Sequence, residues 1–146
     1  MAFFVWNETM SVGNQMIDRD HQKLVAYVNE MHAAMMAGRG RDIVGMILDK
    51  LVAYTKEHFA REEIVWKAGH YVNFAQHQME HAELLKTVGE FHANYKAGSC
   101  TLSVDVMNFL RNWLKEHIMK SDHAAFEAIR ASARAAIRPA SASLPH

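Results

Sequence analysis

The chain has 146 residues, half of them apolar, with sixteen Lys and Arg against sixteen Asp and Glu. That length and composition predict one domain with its own core. Balanced charge argues against a broad basic footprint for nucleic acid and against a polybasic membrane anchor. No apolar run approaches the roughly 20 residues that span a bilayer. The apolar start, Met1 to Trp6, lacks a basic lead and does not read as a signal peptide. The single cysteine, Cys100, allows no internal disulfide and fits a reducing compartment, so a cytoplasmic protein is expected.

Residues 1–17 read as an irregular arm, in which Trp6 and Met10 can lie on the body of the protein and Gly13 breaks any helix. Asp18 or Asp20 is the expected cap of a first helix that runs to about Ala37. Its stripe is Leu24, Val25, Val28, Met31 and Met35, with His21 one turn earlier on the same face. Gly38-Arg39-Gly40 is a tight turn into a second helix over about 41–67. That helix has Ile47, Leu51, Tyr54, His58, Glu62 and Val65 inward, and Gly69 as its stop.

A loop through His70, Tyr71 and Val72 leads to a third helix over about 74–96. Its stripe of Phe74, His77, His81, Leu84, Val88, Phe91 and Tyr95 alternates spacings of three and four. Thr101 or Ser103 caps a fourth helix, about 103–131, with Val106, Leu110, Trp113, His117 and Ala124 inward. Beyond it, Ala, Ser, Arg and Pro without periodicity predict a flexible C-terminal tail over 132–146. Proline occurs only at 139 and 145, which leaves the helices uninterrupted. The pattern predicts an all-α fold, an up-down-up-down antiparallel four-helix bundle with an N-terminal arm.

Five of the ten histidines, with two carboxylates, fall on the four inward stripes. They are His21, His58 with Glu62, His77 with His81, and His117 with Asp122. Residues four apart project from one helix face, one turn from each other. One histidine on an apolar face is usually a hydrogen-bonded core residue. Seven polar groups buried without partners would cost roughly 1–3 kcal/mol each, and a metal satisfies them together.

Imidazole with carboxylate suits a first-row transition metal. Seven groups exceed the needs of one ion and suggest two ions sharing the carboxylates. Zinc prefers four-coordinate sites and would be crowded. Two irons, bridged by Glu62 and Asp122, use every group and can leave one position open for a small molecule. Five neutral imidazoles against two carboxylates favour the ferrous state, and hence reversible binding over O–O cleavage. One spacing is odd: Asp122 follows His117 by five residues, about 140° around an ideal helix. Either the helix distorts there or the Asp122 side chain reaches back.

The segments Asp20-His21-Gln22, His58-Phe59-Ala60-Arg61-Glu62-Glu63, His77-Gln78-Met79-Glu80-His81 and Trp113-Leu114-Lys115-Glu116-His117-Ile118, with Asp122, together resemble the hemerythrin family in its single-domain bacterial form. The resemblance covers about residues 5–125, and the five-residue step to Asp122 is part of the family pattern. It implies a hemerythrin-like bundle over 1–131 carrying a non-heme di-iron centre, two iron ions with an oxo or hydroxo bridge. His77, His81 and His117 would hold one iron. His21 and His58 would hold the other, which keeps the open position for O2, nitric oxide or a small anion. Glu62 and Asp122 would bridge.

Trp113, Leu114 and Ile118 would form an apolar O2 pocket. The implied function is reversible O2 binding for storage, delivery or scavenging, without enzymatic turnover. The alternatives are a domain that senses oxygen, nitric oxide or iron, or a di-iron enzyme with peroxidase- or nitric-oxide-reductase-like activity. A bundle without metal is the bland reading. One departure is Tyr71-Val72, where the family often carries Tyr-Pro. Tyr54 and Glu63 are expected either to pack and face solvent or to support the ligands, and His123 to face solvent.

Overall fold

Four long helices alternate in direction in a computed structural model that describes residues 2–142, with side chains as far as Ala135. They are α1 (Gln15–Met36), α2 (Arg41–Ala68), α3 (Phe74–Lys96) and α4 (Val104–Glu116). The fourth runs through a π-helical turn, His117–Asp122, into α5 (His123–Ala142). This is the antiparallel four-helix bundle that the stripes predict. No helix among the described residues is long and apolar enough to cross a membrane.

The first helix begins earlier than its sequence suggests. Asn14, not Asp18 or Asp20, is the cap, and its side chain accepts a hydrogen bond from the Ile17 amide at 3.1 Å. Asp18 lies in the first turn, where a negative charge suits the helix dipole. It accepts from the Val12 amide at 2.8 Å and the Ser11 hydroxyl at 2.5 Å. Asp20 is buried and serves the interior instead. The arm before α1 is pinned by Asn29, which accepts from the Phe4 amide and donates to the Phe4 carbonyl, both at 2.7 Å. That seats Phe4 and Met10 in the core, with Trp6 packed beside them.

The α1–α2 turn closes on Gly38, whose φ of +69° lets the Arg39 amide reach back to the Ala34 carbonyl. At the end of α2, Tyr71 donates in the same way to the Trp66 carbonyl at 3.0 Å, so the loop is held although Val72 stands where a proline is common. Gly69 in this loop lies against α5. A Cβ built there would meet Ile129 side-chain carbons at 2.9–3.1 Å. Gly69→Ala is therefore expected to lower stability by about 1–3 kcal/mol through overpacking, measured by urea denaturation.

The π turn explains both surprises in the fourth helix. A π turn closes i to i+5 and adds one residue to a helical turn. It brings Asp122 onto the face of His117, where an α-helix would have placed Ser121. It also shifts the phase of everything after it. Ala124, expected inward, is exposed, and Ala125 and Phe126 are buried in its place. Beyond Ala131 the backbone stays helical to Ala142, where the composition suggests a tail. Alanine and arginine are strong helix formers, so propensity sustains a helix without an apolar stripe up to Pro139, which lies within α5 and lacks the amide to continue the hydrogen-bond ladder. Residues 143–146 lie outside the described residues.

The apolar interior is split. A large cluster spans Leu24, Val28, Leu48, Leu51, Leu84, Met107 and Leu114, and a smaller one holds Val12, Ile17, Trp66, Tyr71 and Phe126. Each bundle helix crosses from one cluster to the other, and the buried polar residues fall in the gap.

Candidate metal centre

Histidines near the start of α1, the end of α2, the start of α3 and the end of α4 must meet at one end of an antiparallel bundle. They do. His21, His58, Glu62, His117 and Asp122 each offer a ligand atom, and these atoms lie within 4.8 Å of one another. All five residues are buried, with His21, His58, Glu62 and Asp122 at zero exposure.

Glu62 stands at the centre. Its carboxylate lies 3.5 Å from His21 Nε2, 3.1 Å from His58 Nε2, 3.4 Å from His81 Nε2 and 3.3 Å from His117 Nε2. Asp122 Oδ2 lies 2.7 Å from His21 Nε2 and 3.1 Å from His117 Nε2. His77 stands apart from this group. It is one turn before His81 on α3, packed against Trp66 and Tyr71, with its Nε2 3.9 Å from Glu80.

The orientation of the rings is set from outside. Asp20 accepts from His58 Nδ1 at 3.0 Å, and Glu63 accepts from His81 Nδ1 at 3.0 Å. A ring held through Nδ1 turns its Nε2 inward, the arrangement of a metal-ligating histidine backed by a carboxylate. Asp20 is itself held in a cage: Arg61 donates through Nε at 2.7 Å and Nη2 at 2.8 Å, and the Tyr54 hydroxyl donates at 2.6 Å. Burial works against ionisation of Asp20, but His58, Arg61 and Tyr54 hold its carboxyl well below the usual carboxylate range.

Tyr54 thus supports the site, and Glu63 does the same while also accepting from Gln78 at 3.0 Å. The role of Asp20 was not legible from its spacing. Its place next to His21 turns it sideways toward α2, and only packing of α1 on α2 brings it to His58.

Despite their short separations, many inward atoms lack a hydrogen bond of acceptable geometry. His21 Nε2, His58 Nε2, His81 Nε2, Glu62 Oε2 and both Asp122 oxygens are buried without one. Native proteins seldom leave buried polar atoms unpartnered. Two carboxylates at zero exposure also demand nearby positive charge. In the metal-free chain, protons answer that demand. Burial alone would lower the pKa of His21, but Asp122 and Glu62 raise it to about 9. His117 is raised against burial to about 10, chiefly by Asp122. Burial works against ionisation of Glu62, but His58, His117 and His21 hold it well below its ordinary value. Divalent cations would supply the same charge and take up the orphaned lone pairs. The donor set of imidazole nitrogen and carboxylate oxygen fits iron.

Aromatic rings wall the site. Phe59 stacks on His81 at 3.7 Å between centroids, Trp66 at 5.1 Å on the same ring, and Trp113 on His117 at 4.9 Å. Phe59 and Trp66 lie one position off the stripe read for α2, yet Thr55, Phe59, Glu62 and Trp66 are themselves spaced by four, three and four. That second stripe was the available signal. Phe59→Ala is expected to lose about 3–5 kcal/mol of stability, read by thermal or urea unfolding, because it would leave a cavity under His81.

A cavity of about 30 Å3 lies beside the cluster, lined by Leu24, Leu51, Thr55, Leu84, Trp113 and Leu114 among others. Ile118 is fully buried but is not among its lining residues.

The profile of the hemerythrin HHE cation binding domain matches residues 12–129. The chain belongs to the hemerythrin family. As a hemerythrin it is 31% identical over 131 residues to a bacteriohemerythrin of Stenotrophomonas maltophilia, covering 90% of this chain and 84% of that one. A bacteriohemerythrin of Methylococcus capsulatus is 31% identical over 125 residues, covering 84% and 93%. Myohemerythrin-1 of Phascolopsis gouldii is 28% identical over 119 residues, covering 82% and 88%. A crystal structure of wild-type hemerythrin superposes with a TM-score of 0.81 at 28% identity, over 88% of this chain and 98% of that one.

Proposed function

We propose that this hemerythrin binds O2 reversibly at a di-iron centre, for storage, delivery or scavenging. His77, His81 and His117 would hold one iron, and His21 and His58 the other. Glu62 and Asp122 would bridge. The observation that carries the metal reading is the locking of His58 and His81 through Nδ1 by buried or half-buried carboxylates, which leaves their Nε2 atoms unpartnered and turned on Glu62. A packed polar core would use both ring nitrogens. When bound, the two irons would supply two electrons and an open coordination position to a diatomic ligand.

The protein's part is to bind, to orient and to stay dry. Glu62 sits where four imidazoles converge, so it can serve either iron. The cavity beside the cluster is walled by aliphatic and aromatic side chains, and its one hydroxyl, on Thr55, is engaged with the Leu51 carbonyl at 2.7 Å. None of the residues lining this cavity carries a carboxyl, imidazole or amine. That favours release of O2 unchanged over its reduction, because proton delivery is what general acid catalysis requires. Trp113 and Leu114 form the cavity wall nearest His117, in keeping with a pocket for a small apolar molecule. Ile118 lies in the same buried apolar cluster as Leu114.

Metal analysis of the protein loaded with ferrous iron under anaerobic conditions tests the ligand set. The expected content is two irons per chain. One iron per chain would reduce the centre to a mononuclear site and contradict the reading.

A further inference from the structure

A buried cluster at or near zero exposure poses a question of access. The cage of Asp20, Arg61 and Tyr54 closes the His58 side. Trp66 and Tyr71 close the end, and Leu24 and Leu114 the apolar side. Along those walls the one carboxylate, Asp20, is already engaged by His58, Arg61 and Tyr54.

The cleft between α3 and α4 is different. It has a volume of about 410 Å3, and its walls include both His81 and His117. Its rim carries the exposed carboxylates Glu80, Glu83 and Glu116, against Lys120 as the one cation among its described lining residues. Three negative charges against one positive leave a net charge of −2 at the mouth. Lys120 pairs with Glu116 at 3.7 Å, which leaves Glu80 and Glu83 without a lysine in the cleft. Glu80 Oε2 also lies 3.9 Å from His77 Nε2, one turn before His81 on the same helix. His81 is 98% buried, stands in the cleft wall, and turns its unpartnered Nε2 toward Glu62 at 3.4 Å, so its ring joins the cleft to the cluster. Six waters at about 30 Å3 each make a hydrated divalent ion roughly 200 Å3, which such a cleft accommodates.

We propose that this cleft is the route by which a hydrated divalent cation reaches the buried cluster. Glu80, Glu83 and Glu116 draw it in, and His81 and His117 replace its water as it passes inward. A cleft walled by one sign of charge concentrates the opposite ion and raises its on-rate. The inference rests on the metal reading above but assigns residues outside the proposed ligand set.

Stopped-flow uptake of ferrous iron by the metal-free full chain tests it, under anaerobic conditions and at low ionic strength. Quenching of tryptophan fluorescence follows the reaction, since Trp113 stacks on His117 and Trp66 on His81. Converting Glu80, Glu83 and Glu116 together to glutamine is expected to slow uptake roughly 5- to 50-fold. The final iron content should stay the same, and the difference should shrink in high salt, which screens exposed charge. Lys120→Gln is expected to load faster than the parent. Uptake by the triple variant at the parental rate would overturn the route. So would a lower final iron content, which would make the glutamates resident ligands. If the parent itself takes up no iron, the metal reading falls and this inference with it; that result is distinguishable because no variant is needed to see it.

Discussion

Replacing His77 and His81 together by leucine is expected to cost the centre at least one of its two irons and leave the bundle standing. In the metal-free chain His77 Nδ1 and His81 Nε2 are buried without hydrogen-bond partners, and the one hydrogen bond the exchange removes, His81 to Glu63, leaves a part-exposed carboxylate that still accepts from Gln78. Burial lowers the pKa of His77, so it sits there as a neutral lone-pair donor. Leucine at these positions would pack against Trp66, Tyr71 and Phe59. Exchanging buried polar groups for apolar ones of similar size is often neutral or stabilising by about 1–4 kcal/mol. Iron content should fall from two per chain to one or none, with helical circular dichroism unchanged and the metal-free unfolding midpoint equal or higher. A double variant that unfolds would show the histidines to be structural. One that keeps two irons would remove α3 from the ligand set.

Asp20→Ala should have the next largest effect, because four hydrogen bonds converge on one buried carboxylate. The ring of His58 loses the acceptor that fixes its tautomer, and loss of such a partner typically weakens metal binding 10- to 100-fold. Arg61 and Tyr54 are left facing a gap, which adds about 1–3 kcal/mol of destabilisation. Competition with a chelator measures the first effect and urea denaturation the second.

The pH dependence of the metal-free chain has a definite sign. The folded pKa of Asp20 is depressed below the ordinary 3.8. Its stabilisation is therefore complete above that value and is lost as pH falls through the folded pKa. Asp20→Asn should flatten that part of the acid unfolding curve. An unchanged curve would show that the cage does not stabilise the fold.

Much of this architecture could be read from spacing. The stripes of α1 and α3 have a period that only a helix buries, and the short Gly-containing turns require antiparallel neighbours. The five histidines and two carboxylates were visible because they fall on or beside the inward stripes of all four helices. What escaped was whatever depends on a change of helical phase or on contact between helices. The π turn at His117–Asp122 announces itself only as an impossible five-residue step, and its result at Ala124 and Ala125 follows from one inserted residue. The start of α1 was misplaced because two aspartates sit near it and Asn14 looks unremarkable. Asp20, Tyr54 and Arg61 lie on two helices and form a unit only when α1 meets α2. The helix past Ala131 is sustained by propensity rather than by any apolar stripe.

The most direct test of the central claim is the visible spectrum of the anaerobically reduced, iron-loaded protein, recorded before air, after air, and again after O2 is removed. A charge-transfer band that rises with O2 and disappears on its removal, over repeated cycles, is the expected result. Direct and irreversible conversion to the ferric form, with peroxide released to solution, would contradict reversible binding and turn the site toward sensing or catalysis.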